Sequence, residues 1–331
     1  MIRIAVDAMG GDHAPSSIID GALAAARHLD LGLDLAGPAD VIRAELARHP
    51  DAGHLSIRIL DAPDVVGMTE SPTSALRRKS RASIRVAAES VASGSAAALV
   101  SAGHTGATVM AAHGAFGMLP GVDRPALAAT IPSGDRLGIL LDVGANVECR
   151  SQHLLQFAAM GAVYAKVSFG VKHPRIGLLS IGEEEGKGND LIRDAHRLLK
   201  ASTLNFIGNV EAREVYKGNA DVIVCDGFTG NIALKASEGL VDTVERLLEE
   251  ELNRTFSGMV GSLLSRRAFR RFRRRLDYSE YGGAPLLGVA GVCIVGHGRS
   301  SAKAVRNAVA MAHRFATAGF LQRVEHEIAA A

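Results

Sequence analysis

The sequence predicts an α/β fold whose mostly parallel sheet lies between layers of helices, and three observations predict it. Short apolar runs ending in Gly, Asp or Ser alternate with longer, Ala-rich stretches of helical period. Several of those runs are apolar at every position, as strands buried on both faces must be. Glycine supplies 36 of the 331 residues while Trp is absent and aromatic residues reach only 4%, which suits a chain with many tight strand–helix turns and argues against an aromatic-stacking nucleic-acid binder. Strands are expected at residues 2–6, 33–36, 55–60, 97–101, 126–131, 138–143, 175–181, 205–210 and 221–225, with an antiparallel pair across 285–295. Helices are expected between them, at 17–28, 39–47, 82–93, 153–167 and 189–200. No repeat or low-complexity linker interrupts this rhythm, so residues 1–331 read as a single domain.

Two stretches depart from the alternation. Residues 61–81 are rich in Pro, Ser, Thr and charge and read as a long functional loop. From Val244 to Leu276 an apolar residue recurs every fourth position, a row that drifts by about 40° per step on a 3.6-residue helix. Gly258 and Gly261 sit in its middle, where helix propensity is poor. Residues 237–277 are therefore expected to form a helical hairpin projecting from the sheet domain.

Charge is unevenly spread. The chain carries 37 Lys and Arg against 35 Asp and Glu, a net +2. Seven arginines lie between Arg266 and Arg275, which leaves 30 cations against 35 acids, or −5, elsewhere. That distribution excludes a basic protein coating nucleic acid. Hydrophobic content of 47% with 22% charge excludes extended disorder. Cys149, Cys225 and Cys293 are far apart and form no metal-binding spacing, as expected of reduced cytoplasmic thiols. The N-terminus runs directly into a strand pattern without a signal-peptide core, and no apolar run approaches the ~20 residues of a spanning helix. A cytoplasmic protein, soluble or bound at a surface, is the expectation.

Five strand ends carry glycine and small polar residues: Asp7-Ala-Met-Gly-Gly-Asp-His13, Ser101-Ala-Gly-His-Thr-Gly-Ala107, Asp142-Val-Gly-Ala-Asn146, Gly182-Glu-Glu-Glu-Gly-Lys-Gly-Asn189 and Asp226-Gly-Phe-Thr-Gly-Asn231. Any one of them is equally a tight βα connection. Five such turns at one sheet edge would expose helix N-terminal N–H groups to an anion, so a phosphate-type ligand is expected. None is a nucleotide fingerprint: no Walker motif, no dinucleotide G-x-G-x-x-G and no nucleophile elbow occurs. No cofactor is expected. No metal is expected either, since Asp7, Asp12 and His13 read as capping and turn residues rather than ligands.

Asp7-Ala-Met-Gly-Gly-Asp-His-Ala-Pro15, Asp142-Val-Gly-Ala-Asn-Val147, Gly208-Asn-Val-Glu-Ala-Arg213 and Asp226-Gly-Phe-Thr-Gly-Asn231 closely resemble the bacterial phosphate acyltransferases of phospholipid synthesis. Asp123-Arg-Pro-Ala126, Tyr281-Gly-Gly-Ala284 and Gly296-His-Gly298 fit the same pattern, and the resemblance runs from Ile2 to about Phe320. It implies a three-layer α/β/α sandwich like isocitrate and isopropylmalate dehydrogenases. It also implies transfer of a fatty acyl group from acyl-carrier protein to inorganic phosphate by a homodimer held peripherally on the inner face of the cell membrane. Two departures stand out: His104 occupies a position where Asn is expected, and Gly298-Arg-Ser-Ser301 replaces a smaller polar turn.

Phosphate is already anionic and nucleophilic near neutral pH, so the implied reaction needs no activated serine. It needs a cradle for the dianion and donors for the tetrahedral oxyanion. The expected phosphate and oxyanion site comprises Gly10, Gly11, His104, Thr105, Gly106, Thr229 and Gly230, with Asn231. Lys187 is the expected charge partner and His13 the expected donor to the leaving sulfur. Asp142 and Asp226 are expected to orient loop amides, and Glu183–Glu185 to point outward or pair with Lys187 or Arg193. Phe256, Leu263, Leu264, Arg266, Arg267, Arg270, Arg271 and Arg274 combine an apolar stripe with dense positive charge, chemistry suited to an anionic membrane surface or the acidic carrier protein. A dimer-packing helix with a solvated basic face is the plainer reading of that segment. No nucleic-acid partner is expected. The competing functions are a phosphotransacetylase using acyl-coenzyme A and a noncatalytic membrane scaffold that binds acyl-carrier protein.

Overall fold

In a computed structural model the described residues are 1–255, 257, 258, 261, 264–267, 269 and 281–330. Eleven strands form one sheet: β1 (Ile2–Asp7), β2 (Leu31–Gly37), β3 (Ile57–Asp61), β4 (Ala98–Ser101), β5 (Ala126–Ser133), β6 (Arg136–Leu141), β7 (Ile176–Ser180), β8 (Phe206–Glu211), β9 (Val222–Val224), β10 (Ala284–Leu287) and β11 (Val292–Val295). Their order is β3-β2-β1-β4-β11-β10-β5-β6-β9-β7-β8. The expected strands are all present, most shifted by a residue or two.

Alternation along each strand builds two cores. Ile4 and Val6 of β1, Leu33 and Leu35 of β2 and Ile139 and Leu141 of β6 feed one face. Ala5, Leu99 and Leu140 feed the other. The first face is covered by α1 (Ser16–Ala26), α6 (Ser151–Phe169), α7 (Asp190–Ala201), α9 (Ala302–Thr317) and α10 (Phe320–Ala330). On the second lie α4 (Ser83–Ala92), α5 (Thr105–Phe116) and the start of α8 (Gly227–Asn253), while α2 (Ala39–Leu46) packs near β2 and β3. This is the expected three-layer sandwich. Asp34, fully buried on β2, is held by Arg58 and Arg3, whose hydrogen bonds outweigh burial and keep its carboxyl below the ordinary range.

The expectation that all five turns share one edge is overturned. Strands β3, β2, β1, β4 and β11 run parallel, but β10 pairs antiparallel with β11 and with β5, and β5 pairs antiparallel with β6. The block β6-β9-β7-β8 is parallel within itself and runs opposite to the first block. The reversal comes from the two-residue turn Gly134-Asp135 between Ser133 and Arg136, with Gly134 at φ +59°, the backbone a tight hairpin needs. The turns after Asp7 and Ser101 therefore lie at one edge, and those after Leu141, Ser180 and Val224 at the other.

Residues 61–81 are more ordered than a loop. They contain α3 (Pro72–Arg78) and are pinned by Lys79, which pairs with Glu70 and donates to the Val65 carbonyl at 2.6 Å. Residues 237–253 of the expected hairpin belong to α8, which starts at Gly227 and spans 27 residues, about 40 Å. Beyond Gly230 none of its residues is buried. Of the second arm, Phe256, Leu263, Arg270, Arg271 and Arg274 fall outside the described residues.

Candidate functional site

At the first edge three turns interlock. Gly10 lies so close to the Gly103 amide and the Asp7 carboxylate that a Cβ would sit 2.7 Å from each. Gly11 adopts φ +113° with the carbonyls of Gly298 and Ala102 beside it, so a side chain there meets both strain and contact. The Asp12 amide donates to the Gly298 carbonyl at 2.8 Å, and the Gly296 amide donates to the Ser101 carbonyl at 2.7 Å. Beneath them the Ser101 hydroxyl donates to Asp7 Oδ2 at 2.8 Å and accepts from the Gly103 amide at 3.1 Å. Burial pushes the Asp7 carboxyl up, opposed by hydrogen bonds from Ser83, Ser101 and the Met9 amide. Asp7 thus ties the first two turns together from inside.

Helix starts at this edge are not capped by charge. α1 begins after Pro15 without a side-chain cap. α5 is capped by His104, whose Nδ1 accepts from the Gly106 amide at 3.1 Å. His104 thereby does the capping that an Asn would do with its side-chain oxygen, and in the neutral ring the proton is left on Nε2. Thr105 and His13 are exposed.

The second edge is built differently. Asp142, fully buried, accepts from the amides of Leu127, Gly144, Ala145 and Asn146 and from Asn146 Nδ2, at 2.7–3.1 Å. Asp226 caps α8, accepting from the Thr229 amide at 2.8 Å and its hydroxyl at 2.7 Å. Both aspartates orient loop amides, as the sequence predicts. Gly230 is packed onto this turn so tightly that a Cβ would lie 1.9 Å from the Asp142 carbonyl oxygen. Asn231 is exposed one residue on, against Gly144. Lys187 is exposed on the turn after β7, and Glu183–Glu185 point outward there. Glu185 pairs with Lys200 at 2.8 Å, and Arg193 pairs with Asp190, rather than with each other.

The expected site residues therefore fall into two sets. Gly10, Gly11, His13, His104, Thr105 and Gly106 are together; Thr229, Gly230, Asn231 and Lys187 are not with them. In strand order β9 lies five places from β4 and β7 six, or roughly 24 and 29 Å at 4.8 Å per strand. One phosphate within a protomer cannot touch both sets.

A cleft of about 1010 Å³ opens at the turn of His297 and Arg299, whose Gly298 carbonyl accepts from the Asp12 amide. Its apolar wall includes Ile131, Pro132, Leu234, Leu240 and Val241, and its polar wall includes Glu238, Tyr281, His297 and Arg299. His297 belongs to the Gly296-His-Gly298 turn. Leu264, at 81% exposure, and the exposed Arg266 and Arg267 are the described part of the apolar–basic segment. Among the described residues, Asp20, Glu45 and His49 form the one group of three such side chains whose ligand atoms lie within 4.8 Å of one another. It lies on α1 and α2 away from the turns, and Arg48 already pairs with Glu45 at 3.0 Å. The cysteines are packing residues: burial pushes the Cys293 thiol up to about 12 and Cys149 to about 11, far from a reactive thiolate.

Comparison with known proteins follows this geometry. The phosphate acyltransferase of Acidobacterium capsulatum is 51% identical over 327 residues, covering 99% of this chain and 97% of that protein. That of Nitratidesulfovibrio vulgaris is 50% identical over 328 residues, covering 99% and 95%. Among solved structures, a phosphotransacetylase from Streptococcus pyogenes matches with a TM-score of 0.64 at 19% identity, covering 96% of this chain and 94% of that one. A phosphotransacetylase from Staphylococcus aureus gives 0.62 at 17% identity, covering 95% and 94%. These two share the fold. A family model described as fatty acid synthesis protein matches residues 2–323, and with relatives this similar across almost the whole length the chain belongs to that family.

Proposed function

We propose that the chain transfers a fatty acyl group from acyl-carrier protein to inorganic phosphate, giving acyl phosphate for phospholipid synthesis. The curated relatives' names support acyl transfer to phosphate, and the helix starts at the first edge support phosphate binding there. A dianion at the start of α8 would meet the Asp226 carboxylate, and one at the start of α7 would meet Asp190 in the first turn, whereas α1 and α5 have no acidic residue in their first turns and no carboxylate cap. Helix N-termini favour anions where no carboxylate already occupies them. Phosphate accordingly sits against Gly10, Gly11, His104, Thr105 and Gly106, with His13 beside the leaving sulfur. The adjoining cleft takes the acyl thioester along its apolar wall.

In the reaction an oxygen of HPO₄²⁻ bonds to the thioester carbonyl carbon and the carbonyl π pair moves to oxygen. Collapse breaks the C–S bond, and the proton from phosphate ends on the thiol. Holding the dianion near the carbonyl supplies several kcal/mol of the rate enhancement. The test is incubation of purified protein with acyl-carrier-protein thioester and phosphate, scored for acyl phosphate. A phosphotransacetylase using acyl-coenzyme A is the second reading, supported by the fold shared with the two phosphotransacetylases; turnover with the coenzyme A thioester alone selects it. Carrier binding without turnover on either donor selects the noncatalytic scaffold.

No helix among the described residues is long and apolar enough to cross a membrane. The proposed location is cytoplasmic, with peripheral attachment through Leu264, Arg266, Arg267 and the neighbouring arginines. The proposed homodimer is supported by the exposed row Leu240, Val244, Leu247 and Leu248 on α8, an apolar face of the kind that pairing covers.

A further inference from the structure

We infer that residues 64–82 form a strap over the phosphate turns that makes phosphate, rather than water, the acceptor of the acyl group. The inference rests on the phosphate acyltransferase reading above and adds Met68 and Pro72 as the side chains that set acceptor choice.

Three observations carry it. The strap lies on the turns themselves: a Cβ on Gly298 would stand 2.6 Å from Met68 Cε, and one on Gly106 would stand 3.1 Å from Pro72 Cγ. Val65 and Val66 line a small cavity together with Asp7, Gly103 and His104. Second, its ends are tied beneath the same turns. The Ser83 amide donates to the Asp64 carbonyl at 2.9 Å, and the Ser83 side chain hydrogen-bonds to the buried Asp7. Third, its middle is latched. Glu70 Oε1 accepts from the Gly67 amide at 3.0 Å and pairs with Lys79, whose ammonium also donates to the Val65 carbonyl. The latch closes the turn that carries Met68, so a side chain 41% exposed is nevertheless held against Gly298.

A thioester carbonyl beside these turns is open to two nucleophiles. When a phosphate oxygen bonds to the carbonyl carbon, the C–S bond breaks to leave acyl phosphate and the thiol. When water adds instead, the same C–S bond breaks, one water proton ends on the thiol and the other product is the free fatty acid. Phosphate is attracted to the helix starts by its charge. Water has only hydrogen bonds to hold it, and a methionine thioether and a proline ring offer almost none. Apolar cover of this kind suppresses hydrolysis of a reactive acyl group.

Three substitutions separate this role from a structural one. Met68→Ala removes the cover, Met68→Leu keeps it, and Glu70→Gln loosens the latch. Initial rates of acyl phosphate and free fatty acid are followed together, from acyl thioester with and without phosphate. In Met68→Ala and Glu70→Gln the ratio of fatty acid to acyl phosphate is expected to rise about tenfold, and thiol release without phosphate to rise with it. Met68→Leu is expected to keep the wild-type ratio. A side chain needed only for folding would lower both products together and leave the ratio unchanged. An unchanged ratio in Met68→Ala, or a Met68→Leu variant as leaky as Met68→Ala, overturns the inference while leaving the function intact. An unchanged ratio in Glu70→Gln overturns the latch. A wild type that makes no acyl phosphate from any thioester removes the function and the inference with it.

Discussion

Replacing Asp142 by Asn tests how the second edge is built. The carboxylate sits at full burial with five N–H donors around it: Oδ1 takes those of Leu127, Gly144 and Ala145, and Oδ2 takes both from Asn146. Burial raises its pKa, with the hydrogen bonds opposing. Among the described residues all five of its side-chain hydrogen bonds are accepted from N–H groups, the pattern a carboxylate satisfies. Asn is nearly isosteric but offers one oxygen. With that oxygen at Oδ1 the amide NH₂ confronts the Asn146 amide and Nδ2. The Asn146 side chain cannot turn over freely, because Nδ2 also donates to the Pro125 carbonyl at 2.6 Å. At least one buried backbone N–H is orphaned, costing about 1–3 kcal/mol, and the charge-assisted bonds are weakened by about as much again. Asp142→Asn should therefore lose about 3–5 kcal/mol in urea unfolding at pH 7. A midpoint within error of wild type would show that the turn does not depend on this carboxylate and would refute the reasoning.

Asp34→Asn should also cost about 3–5 kcal/mol at pH 7, since Arg3 and Arg58 lose a buried anion. Because the folded-state pKa of Asp34 is depressed, its contribution is present above its unfolded value near 3.9 and lost as pH falls through the folded one; unfolding curves below pH 4 should be flatter in the variant, and equal slopes would contradict this. Thr105→Val should raise phosphate KM several-fold while Lys187→Ala leaves it unchanged, because Lys187 is about six strands from α5; steady-state kinetics with the opposite ranking would return the anion to the second edge. Exchanging Arg266, Arg267, Arg270, Arg271 and Arg274 for Ser should release the protein from anionic vesicles, at about 1 kcal/mol each; unchanged flotation would end the membrane proposal.

The elements were largely legible from sequence, but their directions were not. Apolar runs mark β4 and β7 because burial on both faces leaves few polar positions, and β2 departs from this only at Asp34, which Arg3 and Arg58 pair. Directions depend on turns, and Ser133-Gly134-Asp135-Arg136 between two apolar runs is a hairpin signal that reverses half the sheet. The reversal puts the turns carrying Lys187 and Asn231 at the edge opposite to those after Asp7 and Ser101. The capping roles of Asp142 and Asp226 were readable because a carboxylate beside a glycine turn has few other uses.

The central claim is acyl transfer from a carrier-protein thioester to phosphate at the first edge. Its most direct measurement follows acyl phosphate formed by the purified protein from acyl-carrier protein or acyl-coenzyme A at varied phosphate, in wild type and Gly11→Ala. Gly11 is held at φ +113° beside the Gly298 carbonyl, so a methyl group there spreads the interlocked turns. The account predicts acyl phosphate from the carrier-protein thioester and a phosphate KM raised at least tenfold in the variant. Turnover confined to coenzyme A would contradict the donor, and an unchanged phosphate KM would contradict the site.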